Sequence, residues 1–204
     1  MITIIDYGVG NINAFVNVYN RLNIKTKIAK TIADLDEVQK IILPGVGSFD
    51  YAMECLNKSG MRQRLDELVI KEKVPVIGIC VGMQMMANKS EEGNAEGLKW
   101  INADVVKFDP KQINFVTKLP HMGWNDVVVS KENKLFENLE KKSIFYFLHS
   151  YYFKCHDQND CIAKSEYGDF FTSAINRENI YGIQFHPEKS HQYGEILLSN
   201  FAKL

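Results

Sequence analysis

The stretch Pro75-Val-Ile-Gly-Ile-Cys-Val-Gly82 constrains the fold of this chain more than any other. It is an apolar run that stops on a cysteine, with a glycine two residues to either side. Val76, Ile77 and Ile79 have the β-branched character of a strand buried on both faces. Followed at once by Gly82, that strand predicts a sharp turn at Cys80 and a helix beginning near Gly82. Such an elbow forces its central residue into a cramped backbone conformation. It also brings neighbouring chain so close that only glycine fits, which accounts for Gly78 and Gly82. The thiol then stands at the carboxyl end of a strand, before the free N–H groups of a helix, where both a thiolate and an oxyanion are favoured. Taken alone, the pattern equally describes a tight turn around an inert buried cysteine. A catalytic reading requires a base.

Residues 181–190, Tyr-Gly-Ile-Gln-Phe-His-Pro-Glu-Lys-Ser, offer one in His186 paired with Glu188. An ordinary cysteine is mostly thiol at neutral pH, so an imidazole must take its proton. The imidazole in turn needs a carboxylate to fix its tautomer and stabilise its charged form. Pro187 stiffens the chain between the two and makes a contact across two residues plausible. Without the elbow, a surface His-Pro turn with a solvated glutamate would be the better reading.

The motif G-I-C-V-G-M-Q (78–84) with F-H-P-E (185–188) resembles the class I, or triad-type, glutamine amidotransferases, whose catalytic set is Cys-His-Glu in that chain order. D-Y-G-V-G-N (6–11), L-P-G-V-G-S-F (43–49), P-H-M-G-W-N (120–125), Y-F-L-H-S-Y (146–151) and F-H-P-E-K-S (185–190) are together similar to one branch of that family. This branch comprises the glutaminase subunits of imidazole glycerol phosphate synthase. The likeness runs from residue 6 to about residue 190. It implies an α/β, flavodoxin-like fold with a mainly parallel central sheet, helices on both faces and added antiparallel strands.

The implied reaction is hydrolysis of L-glutamine to glutamate and ammonia, with Cys80 as nucleophile, His186 as base and Glu188 as its partner. The oxyanion hole would take the Val81 N–H and one from Pro44-Gly45-Val46-Gly47. By resemblance the second is the Val46 amide, which turns toward the site only when a partner is active. Gly45 and Gly47 make such a peptide flip sterically cheap. By the same resemblance Gln84, one helical turn after Cys80, and Glu92 hold the glutamine, with Ser150 and Tyr151 contributing backbone. His149 reads as structural, because His186 has the matched carboxylate. Tyr146, Lys189 and Trp124 match an interface with a (β/α)8-barrel cyclase that receives the ammonia. No metal or cofactor is implied.

The segment Gly10–Tyr19 departs from the commoner pattern of this branch. It looks more like a paralogous branch that feeds a sugar amidotransferase in surface-polysaccharide synthesis, with the same glutaminase chemistry and a different acceptor. Two further classes compete with these. A non-catalytic binding protein on the same fold would be favoured by loss of Cys80, His186 or Glu188, and all three are present. A cysteine peptidase of the wider flavodoxin-like group is disfavoured by the second elbow glycine and by F-H-P-E.

A chain of 204 residues fits one domain spanning 1–204. A net charge of −1 gives no electrostatic case for nucleic acid or an anionic membrane. Cys55, Cys80, Cys155 and Cys161 lack disulfide-framework spacing, and no signal peptide or membrane-length apolar run is present. A reduced, cytoplasmic setting is expected. Cys155-His156 with Cys161 matches no zinc spacing, and the polar residues between them predict a solvated hairpin turn.

Periodicity predicts strands at Ile2–Ile5, Thr26–Ala29 and Lys40–Leu43. It predicts helices at Asn11–Leu22, Phe49–Leu56, Met61–Ile70 and, after the elbow, Met83–Asn88. From Trp100 to Phe171 alternating segments predict antiparallel strands (Asp126–Val129, Ile144–Leu148, Tyr151–Lys154, Phe170–Ile175), and Tyr181–Phe185 carries the base back to the nucleophile. In such sheets ligands bind beyond the carboxyl ends of the strands.

Overall fold

The computed structural model describes residues 1–204. In chain order its first half runs β1 (Ile2–Ile5), α1 (Ile12–Arg21), β2 (Thr26–Ala29), β3 (Ile41–Gly45), α2 (Phe49–Lys58), α3 (Arg62–Asp66), β4 (Val76–Cys80) and α4 (Val81–Gln84). The second half is richer in strands: β5 (Lys89–Ser90), β6 (Ala103–Lys107), β7 (His121–Val129), β8 (Lys142–His149), β9 (Tyr151–Cys155), β10 (Cys161–Tyr167), β11 (Asp169–Arg177) and β12 (Ile180–Ile183), closed by helix α5 (His191–Lys203).

Strands β2-β1-β3-β4-β12 lie side by side and parallel, and β11, β10, β7 and β8 extend that sheet antiparallel. Strand β9 pairs with both β11 and β6, and β6 with β5. Helices cover both sides of the sheet. The four- and five-residue strands β1, β3 and β4 are buried at every position, as expected of parallel strands covered on both faces. Helix α1 turns Phe15, Val18 and Tyr19 inward at helical spacing. One continuous apolar cluster runs from Ile2 to Phe201 and includes residues of the parallel and the antiparallel strands alike. No helix is long and apolar enough to cross a membrane.

This order places three strand ends together. In register, Gly45 at the end of β3 lies beside Cys80 at the end of β4, and Gly182 of β12 lies beside Gly78 of β4. The glycines permit that closeness. A Cβ on Gly78 would sit 2.6 Å from the Gly82 carbonyl oxygen, one on Gly82 would run into the Leu43 carbonyl, and one on Gly45 into the Gly82 nitrogen.

The helix expected over Met83–Asn88 is instead the single turn α4, which begins at Val81 and ends at Gln84. The N–H groups that would continue it bond elsewhere: Met86 N and Ala87 N reach only three residues back, to Met83 O and Gln84 O, and Asn88 N donates to Ala103 O, while the carbonyls of Met85, Met86 and Ala87 accept from a returning loop, residues 98–101. A tertiary partner thus replaces the next turn. The helix expected over Met61–Ile70 forms as α3 but widens into a π-helical turn over Glu67–Lys71. Strands β5, β6 and β10 are additions to the expected set. Cys155 ends β9 and Cys161 begins β10, both side chains buried, and the expected hairpin between them does not form: β9 and β10 both pair with β11 and not with each other, and a one-turn 3-10 segment, Gln158–Asp160, joins them.

Candidate active site

Cys80 has φ 55° and ψ −114°, a conformation that a residue with a Cβ adopts only under compulsion. The compulsion comes from both sides, because β4 is fixed in the sheet centre and α4 starts at the very next residue. The side chain is almost wholly buried. The Val81 N–H, at the first position of α4, has no acceptor within its own helix.

His186 follows β12 and is pinned by the main chain. Its N–H donates to the Tyr146 carbonyl at 2.8 Å, and its own carbonyl accepts from Ser190 Oγ at 2.6 Å. Ser190 Oγ also accepts the Tyr146 N–H at 3.0 Å, so one hydroxyl ties the turn that carries His186 to β8. On the ring, Nδ1 meets Glu188 Oε1 at 2.9 Å, and both side chains are buried. Glu188 Oε2 is buried without a protein partner. Burial lowers the affinity of the His186 ring for a proton and is the largest single influence. Hydrogen bonding to Cys80 and to Glu188, with the charges of both, outweighs it and pushes the value up to about 10. The ring is therefore held as an imidazolium beside the sulfur, which supports a thiolate and supplies an acid for a leaving group.

Two further groups face the sulfur. Gln184 Nε2 lies 3.7 Å from Cys80 Sγ, and the Leu148 carbonyl lies 4.0 Å away. Gln184 carries no catalytic signal in the sequence, where it reads as one polar position inside an apolar strand. Only the pairing of β12 with β4 brings it to Cys80.

The Pro44–Gly47 segment leaves β3 and packs Gly45 directly against Val81 and Gly82. Val46 is 42% exposed, and its N–H makes no hydrogen bond within the protein; Gly47 takes φ +81°. The Tyr7 hydroxyl donates to the Pro44 carbonyl at 2.6 Å and anchors the start of the segment. Glu92 Oε2 accepts the Phe49 N–H at the first turn of α2, at 2.8 Å, so its carboxylate stands just beyond the same segment. Gln84 is buried and donates from Nε2 both to the Tyr151 carbonyl and to Gln184 Oε1, each at 3.0 Å. Only its Oε1 remains for a ligand. The Ser150 carbonyl accepts from Phe108 N at 3.2 Å.

Tyr146, Trp124 and Lys189 come together beside His186. Lys189 Nζ lies 5.4 Å from the centre of the Tyr146 ring, and Trp124 stacks flat on His191 with ring centres 5.3 Å apart. The β7–β8 register sets Trp124 opposite Tyr146 and Met122 opposite Leu148. Met122, Trp124, Ile144 and Leu148 all point into solvent and form one exposed apolar face continuous with the site.

His149 belongs to a buried chain of neutral groups. Its Nδ1 donates to the Tyr151 carbonyl at 2.8 Å, so its Nε2 accepts from His121 Nδ1 at 2.9 Å, and His121 Nε2 accepts from Asn125 Nδ2 at 3.1 Å. Burial pushes His121 down to about 4 and His149 down to about 3. The unfolded chain binds both protons below about pH 6.5. The folded chain refuses them until about pH 4 and 3 respectively, so stability is fully present above pH 6.5 and falls as the pH drops toward 4. The slope is up to roughly 1.4 kcal/mol per pH unit for each histidine. His186 has the opposite sign: its contribution is full below about pH 6.5 and is lost as the pH rises toward 10. Urea midpoints at pH 7, 6 and 5 should therefore decline steadily, and replacing His121 by phenylalanine should flatten that decline.

A family model described as glutamine amidotransferase class-I matches residues 3–204. The chain is 54% identical over 204 residues to the protein of Leptospira interrogans named imidazole glycerol phosphate synthase subunit HisH, covering all of both chains. It is 51% identical over 206 residues to the protein of the same name from Bdellovibrio bacteriovorus, again over all of both. Among solved structures it resembles a protein from Thermotoga maritima described as a glutamine amidotransferase. That likeness has a TM-score of 0.65 at 18% identity, over 99% of this chain and 82% of the other, and speaks to the fold alone. The chain belongs to the class-I glutamine amidotransferase family.

Proposed function

We propose that this chain is the glutaminase subunit of an imidazole glycerol phosphate synthase, with Cys80, His186 and Glu188 as its catalytic set. The sulfur of Cys80 attacks the side-chain carboxamide carbon of glutamine. The developing oxyanion takes the Val81 N–H and, once the Pro44–Gly47 segment has turned, the Val46 N–H. His186 gives its proton to the departing ammonia, and the same ring then draws a proton from the water that cleaves the γ-glutamyl thioester. Each oxyanion donor is worth on the order of 10²–10³ in rate. Gln84 and Glu92, with the backbone of Ser150 and Tyr151, hold the substrate. Ammonia passes to a (β/α)8 cyclase, because ammonia released into water is protonated and lost.

The observation that carries this reading is the meeting of a strained cysteine with a buried His–Glu pair at the ends of adjacent strands β4 and β12. The full-length identity to proteins named as this subunit supports the pathway. The exposed face of Met122, Trp124, Ile144 and Leu148 supports a partner seated over the site. One main-chain bond ties Tyr146 on that face to His186, and the Ser190 hydroxyl bridges the same two residues, so a partner pressing on β8 reaches the base through both links.

The test is glutamate release by the chain alone and with a barrel cyclase charged with its ribonucleotide substrate. A rise of orders of magnitude with the cyclase is expected. Activation by a sugar amidotransferase instead would keep the chemistry and overturn the pathway. Replacing Trp124 by aspartate, which buries an unpaired charge at the centre of the face, should weaken the cyclase complex by about 2 kcal/mol or more. Titration of the complex by calorimetry reads this directly.

A further inference from the structure

We propose that Gln184 is a catalytic residue, an N–H donor aimed at the Cys80 sulfur and oriented by a one-way relay of amides that starts at the Tyr151 carbonyl. This rests on Cys80 being the nucleophile. Gln184 is fully buried, and its backbone N–H is fastened to the Ser173 carbonyl of β11 at 2.9 Å. Its side chain has two neighbours of consequence, Gln84 Nε2 at 3.0 Å and Cys80 Sγ at 3.7 Å.

The direction of the relay follows from donor and acceptor chemistry. A main-chain carbonyl can only accept, so Gln84 must turn its NH₂ toward Tyr151, and it does so at 3.0 Å. That same NH₂ faces Gln184, which must therefore present its oxygen. The NH₂ of Gln184 is left pointing at the sulfur. The Tyr151 carbonyl is itself held by His149 Nδ1 at 2.8 Å, so the origin of the relay is fixed as well.

The consequence for Cys80 is specific. A sulfur this deeply buried loses the solvation that would stabilise its negative charge. The imidazolium of His186 supplies one compensating partner, and a neutral amide supplies a second that stays in place when His186 gives its proton away. The titratable groups around the sulfur are His186, with Glu188 behind it, and Tyr7 from the loop after β1. Gln184 carries no charge at any pH, so what it offers the sulfur is an oriented N–H dipole alone.

The experiment is the rate of Cys80 alkylation by iodoacetamide as a function of pH, in the full chain, read on the Cys80 peptide by mass spectrometry. Gln184→Met removes the N–H at nearly constant volume. It should move the rise of the profile upward by roughly one pH unit and slow alkylation about tenfold at pH values below that rise, with the high-pH plateau unchanged. Gln184→Glu keeps the oxygen that Gln84 needs and turns a second oxygen toward the sulfur, so its shift should be larger. It reads the same quantity even where Gln184→Met lowers stability. An unchanged profile in either folded variant overturns the proposal. Glutamate release surviving in Cys80→Ala would instead overturn the nucleophile assignment, and the alkylation profiles separate that failure from this one.

Discussion

Cys80→Ser should lower glutamate release, measured with an activating partner, by about four orders of magnitude, while the thermal midpoint stays within a few degrees of wild type. Serine keeps the shape, the burial and the backbone conformation of the elbow, so the fold has no reason to respond. The chemistry does. An imidazolium held to about pH 10 suits a sulfur nucleophile, because a thiol gives up its proton far more readily than an alcohol. A serine hydroxyl would have to hand its proton to a ring that already carries one. Cys80→Gly adds a complementary reading. Glycine accepts φ 55° without a Cβ clash, so this inactive variant should be more stable than wild type by on the order of 1 kcal/mol. Higher stability together with lost activity marks strain held at a working residue.

The second large effect is expected at Gly82. Gly82→Ala places a methyl group on the Leu43 carbonyl, at a point where β3 and α4 already touch. Neither side can yield cheaply. Leu43 is a fully buried strand residue beside β4, and Gly82 sits in the first turn of a helix whose start is fixed by the elbow. The loss should exceed about 3 kcal/mol, at the high end for a single methyl group. Urea unfolding checks it. A variant within about 1 kcal/mol of wild type would show that β3 can move away from α4, and with it the Pro44–Gly47 segment.

The parts of this fold that could be read from the sequence share one property, short range. The elbow, its two glycines and the His186–Glu188 contact each involve residues a few positions apart, and local backbone chemistry is enough to predict them. The parallel strands were legible because burial on both faces leaves an unbroken apolar run. What escaped depends on long-range pairing. Gln184 reaches the sulfur because β12 lies beside β4, and the His121–His149 contact exists because β7 and β8 pair in register over their whole length. The missing turn of the helix after Cys80 has the same origin, since Asn88 N donates to Ala103 O and the carbonyls of residues 85–87 bond a loop that returns from residues 98–101. The exposed face of β7 and β8 was partly legible: Trp124 came from the family likeness, whereas Met122, Ile144 and Leu148 required the register to show which residues face out.

Cysteine catalysis at the elbow is tested most directly by mass measurement of the Cys80 peptide after acid quench of the chain turning over glutamine with its partner. The expected result is a γ-glutamyl adduct on Cys80 that appears before steady state and disappears when glutamine is exhausted. Steady glutamate release with an unmodified Cys80 at every time point would contradict it.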